Sequence, residues 1–135
     1  MADFISKLLK TYDKTFLASM ALGYFNNGFS SILTLAFMLK FKDFYHLSPA
    51  QIAHQTALIK LPWTPKMLYG FWTDSVPLFG SRKRNYLVVM GLLYSLSLLW
   101  LTCHQLTLDT YTWLLVTQSF ACAVMDVVVD GIVVV

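Results

Sequence analysis

Charge is scarce in this chain, and its scarcity excludes more than any motif does. Only 13% of the 135 residues are charged and 57% are hydrophobic, whereas a soluble domain carries roughly 25% charge. So little charge cannot cover a water-facing surface, and the composition points to a bilayer. Cysteine is equally sparse. Cys103 and Cys122 make no disulfide framework, metal cluster or CxxC redox pair, and Cys122, inside an apolar run, reads as a small packing residue. The sequence also lacks a Walker loop, a Rossmann glycine pattern, HExxH and Gly-x-Ser-x-Gly. No nucleophile and base pair is apparent, so neither an enzyme nor a cofactor or metal is expected, and no catalytic residue is assigned. The one basic cluster is too short, and too near an apolar run, to suggest nucleic acid.

What is present is apolar sequence in long runs. A helix crossing the hydrocarbon core takes about 20 mostly apolar residues, and the length allows four such spans and little else. They are expected at about 16–39, 50–72, 86–106 and 113–135, giving an all-α membrane protein with four transmembrane helices. Ahead of them, Phe4, Ile5, Leu8, Leu9, Tyr12 and Phe16 recur at helical steps with Lys7, Lys10 and Lys14 between them, so residues 1–15 read as an amphipathic lead. The apolar run after this lead is too long for a signal-peptide core. Ser48-Pro49-Ala50-Gln51 has the form of a helix start, with Ser as N-cap, Pro at the first helical position and Gln at the third. The basic residues of the lead and of the cluster Arg82-Lys83-Arg84 fall on one side, against Lys40 and Lys42 on the other. The positive-inside rule then puts the N-terminus and the loop at 74–85 in the cytoplasm.

Few polar residues interrupt these spans, and each has a cost. Asn26 and Asn27 stand in the first, where one can face a cavity while the other bonds a neighbouring helix, or both can serve as interhelical glue. Lys60 and Lys66 lie in the second, with Pro62 and Pro65 between them; Asp126 and Asp130 lie in the fourth. A Lys or Asp at the centre of a span costs about 2.5–3.5 kcal/mol, so these groups should converge on an interior or wet surface. Counting from the expected span starts at about 1.5 Å per residue sets Lys60 near the level of Asp126 and Lys66 near that of Asp130. The two acids share a helix face, and their repulsion raises the proton affinity of one unless a cation compensates. Proton coupling and a purely structural ion-pair network fit this pattern equally.

The loop at 61–84, LPWTPKMLYGFWTDSVPLFGSRKR, carries a resemblance. Gly70, Asp74 four residues later and a terminal basic cluster are similar to the loop joining helices 2 and 3 of major facilitator superfamily transporters. The fuller string of PW, a Lys, YG, D-S-x-P, G-x-R-x-R and Y-L resembles the folate-biopterin transporter family, as do LSPAQ at 47–51 and DVVVDG at 126–131. Met67 stands where the family usually has Pro.

That resemblance implies secondary transport of folate or pterin solutes, by a chain equivalent to the first third of a twelve-helix fold. It implies substrate or proton binding by Asp126, Asp130, Asn26, Asn27, Lys60 and Lys66. It further implies a conformational latch of Gly70, Asp74, Gly80, Arg82, Lys83 and Arg84, although Ser75 replaces the basic residue that often follows the Asp. The partners expected are the lipid bilayer, the substrate, protons as coupling ion, and the remaining helices or another subunit. The chain reads as a truncated or fragmentary transporter; the alternative is a small four-helix membrane protein with a structural or partner-binding role.

Overall fold

The computed structural model describes residues 14–80, 83–103 and 106–133, and all its regular structure there is helical. Helix α1 covers Lys14–Asp43, α2 Pro49–Lys60, α3 Lys66–Ser75, α4 Arg84–Cys103 and α5 Leu108–Val133, with a 3₁₀ turn at Leu61–Trp63 between α2 and α3. Two of these, over Arg84–Thr102 and Leu108–Ile132, are long and apolar enough to cross a membrane by length and composition. All but two residues of the amphipathic lead read at 1–15 lie outside the described residues.

Helix α2 starts where its sequence says it should. The Ser48 side chain accepts from the Gln51 N–H while the Gln51 side chain accepts from the Ser48 N–H, and Pro49 takes the first position. That capping box satisfies backbone groups a helix start would leave open. The same helix stops at Lys60 because Pro62 and Pro65 supply no N–H to continue the ladder, and the chain passes through the 3₁₀ turn before α3 resumes at Lys66. The expected second span is thus a broken helix.

The last helix begins at Leu108, five residues ahead of the start expected at 113. Its first turn looks polar in sequence, but the structure satisfies those groups. Thr112 donates to the Leu108 carbonyl or to Gln55 of α2, at 2.9 and 3.1 Å. Tyr111 beside it is only 1% exposed, gripped edge-on by Phe37 and Phe41 of α1.

Helix α5 is the axis of the packing and touches every other helical element. Its run Ala121-Cys122-Ala123-Val124 is buried throughout, and small side chains of this kind let neighbouring backbones approach. Antiparallel to it lies α1, since Gly23 packs on Val129 at one end while Phe37 meets Tyr111 at the other. The α2–α3 unit runs parallel to it, with Gln55 bonded to Thr112, the Trp63 indole N–H donating to Ser119 at 3.0 Å and Gly70 against Val127. Helix α4 is antiparallel, its Tyr86, Met90 and Tyr94 sharing a core with Ala121, Val124 and Val128, and its Leu101 a second core with Tyr111 and Leu115.

The connectors tie the ends. The Tyr45 hydroxyl donates to the Leu106 carbonyl at 2.8 Å, joining the α1–α2 and α4–α5 connections; burial pushes this phenol above its ordinary range. Between α3 and α4 the chain turns through positive φ at Phe79 and Gly80, a backbone region glycine enters at little cost. Asn85 holds that turn by donating to the Leu78 carbonyl at 2.7 Å. Outward, α4 presents Val88, Leu92, Leu96 and Leu99, and α1 presents Leu22, Phe25, Phe29, Ile32 and Leu35, all exposed. Apolar stripes of this extent are foreign to a water-facing surface.

Candidate functional site

Lys66 is the first residue of α3, a position where the helix dipole disfavours a cation. Its ammonium is held by α5. It forms an ion pair with Asp126 and lies 3.6 Å from Asp130. Two further groups complete the cluster. The Tyr24 hydroxyl of α1 donates to Asp130 at 3.4 Å, and the Trp63 ring sits with its centroid 5.6 Å from the Lys66 ammonium, within cation–π reach. Three helices and the 3₁₀ turn therefore converge on one charged site.

The two acids are not equivalent. The Asp126 side chain is 11% exposed and that of Asp130 48%. Asp126 is the more enclosed anchor, whereas Asp130, one helical turn on, meets the surroundings directly.

The expected pairing of Lys60 with Asp126 and Lys66 with Asp130 is corrected by this geometry. Lys66 pairs with both acids and Asp126 is its closer partner. The count failed because α5 starts at Leu108: Asp126 lies 18 residues into that helix, and Lys66 lies 17 residues after the α2 start at Pro49. Lys60, six residues and one broken helix earlier, has no carboxylate within ion-pair distance among the described residues. It lines instead a cavity of about 560 Å³ between α1, α2 and α5. Gln118 of α5, which sequence reasoning did not single out, lines the same cavity. The available signal was an amide in the middle of an apolar span, eight residues before Asp126 and so on the same side of the helix.

The remaining residues named from sequence fall as follows. Asn26 and Asn27 lie in α1, their side chains outside the described residues. Gly70 approaches α5, where a Cβ would sit 3.5 Å from Val127. Asp74 is exposed near the end of α3, with no ion pair among the described residues. Gly80 occupies the turn, Arg84 is exposed, and Arg82 lies outside the described residues. Lys83 donates to the Gly131 carbonyl, one of the last carbonyls of α5, where a cation also complements the helix dipole. Lys83 thus holds the end of the helix that carries both aspartates.

The sequence model of the BT1 family matches residues 27–135. "Probable folate-biopterin transporter 2" of Arabidopsis thaliana is 36% identical over 91 residues, 67% of this chain and 18% of that protein. The "Folate-biopterin transporter" of Synechocystis sp. is 35% identical over 111 residues, covering 82% of this chain and 22% of that protein. "Probable folate-biopterin transporter 4" of Arabidopsis thaliana is 28% identical over 136 aligned residues, 98% of this chain and 28% of that protein. The chain spans less than a third of the length of each of these curated relatives. No solved structure matches it significantly.

The unequal burial of the acids generates a stability ranking. Asp126→Asn removes the closer, better buried partner of Lys66 and is expected to lower the unfolding free energy by about 1.5–3 kcal/mol, the range for hydrogen bonds to charged groups. Asp130→Asn breaks a longer, half-exposed contact and should cost less than about 1 kcal/mol. Chemical unfolding in detergent micelles measures both, and equal losses would contradict the ranking.

Proposed function

The chain belongs to the BT1 family, and on that premise we propose that it forms the opening part of a secondary transporter for folate or pterin solutes, with Lys66, Asp126 and Asp130 at its substrate or proton site. The observation that carries this reading is the convergence of one base and two acids from α3 and α5 at one point. The cluster holds one more acid than base. At membrane depth that excess is costly, and it is relieved when a proton, or a cationic or hydrogen-bond-donating edge of a solute, joins the site.

Asp130 is the acid placed to meet such a partner, being the more exposed and the more loosely held. A pterin carries a 2-amino group beside a ring N–H, a donor pair that a carboxylate accepts in bidentate fashion. Binding there would compete with Tyr24 for Asp130 and leave the Lys66–Asp126 pair intact. Solute and proton then draw on the same carboxylate, which is the elementary requirement for coupling one to the other.

In this reading α1, the broken α2–α3 unit, α4 and α5 are four successive spans, equivalent to the first third of a twelve-helix major facilitator fold. The alternating directions of these elements support it. So do the apolar outer faces of α1 and α4, which suit lipid or the remaining helices of the transporter. Alternating access requires a second lobe moving against this one. The N-terminus and the loop at 74–85 face the cytoplasm, on the strength of their basic residues. Phe79, 87% exposed at that loop, is the position to label: Phe79→Cys is expected to stay unlabelled by a membrane-impermeant thiol reagent applied to intact cells, and labelling from outside would invert the topology.

Transport is tested by substituting this chain for its matched segment in the Synechocystis folate-biopterin transporter and measuring uptake of radiolabelled folic acid and biopterin. The chimera is expected to take up at least one of them. Asp130→Asn within it should cut that uptake at least tenfold at equal surface expression. A correctly inserted chimera that moves neither solute would contradict the proposal.

A further inference from the structure

The first turn of α3 is fastened mainly by its own charge. Pro65, the residue ahead of it, has a backbone outside the helical region and provides no side-chain cap, so the open N–H groups of a helix start lack the protection that Ser48 and Gln51 give α2. Met67 is 92% and Leu68 68% exposed, and neither buries the turn against the bundle. The later turns are secured differently. The Tyr69 ring meets Phe120 edge-on at 5.4 Å, Gly70 lies against Val127, and Trp72 meets Tyr86. Lys66 holds the start, and only while α5 supplies carboxylates to it, since a cation at a helix N-terminus opposes the dipole.

The same stretch separates two polar regions. Trp63, three residues before Lys66, lines the cavity between α1, α2 and α5 and also faces the Lys66 ammonium, so the segment at 61–69 forms the wall between that cavity and the two acids. No continuous helical ladder stiffens this wall, because Pro62 and Pro65 lack the N–H. Toward the cavity it is tied to α5 by the hydrogen bond from Trp63 to Ser119. Beyond it, Gln118 is 4% exposed and its Oε1 has no hydrogen-bond partner. A buried amide oxygen left open is rare and unfavourable; a donor admitted when the wall loosens, water included, satisfies it. The structure thus holds a reason for the wall to open beside a lock that keeps it shut.

We propose that the first turn of α3 is a conditional helix, wound while Asp126 and Asp130 hold Lys66 and unwound when another partner occupies them, so that the wall at 61–69 opens between the cavity and the charged cluster. Unwinding extends the 3₁₀ break toward Tyr69, where the contact with Phe120 stops it. The unfavourable meeting of Lys66 with the helix dipole disappears with the turn. The device is the same whatever occupies the acids. Its test uses no solute, so its failure leaves the transport reading untouched.

Hydrogen–deuterium exchange of the purified chain in phosphatidylcholine nanodiscs, read by mass spectrometry, tests this at the amides of Met67, Leu68 and Tyr69. Replacing both acids, Asp126→Asn with Asp130→Asn, is expected to speed their exchange roughly tenfold while the amides at 53–59 of α2 stay within about twofold of wild type. Adding Lys66→Gln to that variant should return the rate to within about threefold of wild type, since an uncharged residue at the helix start needs no counter-charge. The recovery is diagnostic, because a turn held by packing alone would loosen further on losing Lys66. If the variant lacking both acids does not fold, Asp126→Asn with and without Lys66→Gln reads the same reversal on a smaller scale. Unchanged exchange at 67–69 after the acids are replaced, or exchange that stays fast once Lys66→Gln is added, overturns the proposal.

Discussion

The burial of α5 is the constraint on which the rest of the described chain depends. Ala121, Ala123 and Val124 are fully enclosed, and at these positions larger side chains would push the surrounding helices apart. Because the centre of the helix is narrow, α1, α2–α3 and α4 can all reach it, and each brings to it the few polar groups the sequence contains. The apolar side chains of α4 and α1 that find no place against it point outward. The charged cluster of Lys66, Asp126 and Asp130 lies against this helix while the outer faces of α1 and α4 are apolar, an arrangement a low-dielectric surrounding favours.

One stripe of α5 carries that polarity. Gln118, Cys122, Asp126 and Asp130 follow one another at four-residue steps, which keeps them on one slowly turning face. Its lower-numbered half looks onto the cavity shared with Lys60; its higher-numbered half looks onto Lys66 and Tyr24. The break at Pro62 and Pro65 divides the two, since it ends one helix at Lys60 and starts another at Lys66. Each lysine consequently has its own surroundings. The Pro-containing turn thus assigns one cation to the acids and leaves the other facing open space.

Much of this was legible in the sequence, and the failures have particular causes. The Ser48-Pro49-Gln51 start was readable because capping is a local property, settled within one turn. The convergence of Lys66 with the aspartates was readable because a lone charge within an apolar run is costly and leaves few alternatives. Which lysine met which acid was not, since it hung on the first residue of α5. Thr107, Asp109, Thr110 and Thr112 made that region look like a connector. The threonines are nonetheless accommodated at the helix start, where Thr112 bonds Leu108 and Thr107 bonds Thr110. Gln118 was missed because a single amide in a hydrophobic run reads as interhelical glue until its neighbours are known to leave its oxygen unpaired.

The central claim is that α3 and α5 are locked by one shared cation, and a double-mutant cycle on Lys66→Met and Asp126→Asn tests it most directly. Unfolding free energies of the wild type, both single variants and the double variant give the coupling between the two side chains. The account predicts a coupling of roughly 0.5–3 kcal/mol, as for residues in direct contact within one charged network, and a smaller value for the parallel cycle of Lys66→Met with Asp130→Asn. Additive losses for Lys66 and Asp126 would contradict it.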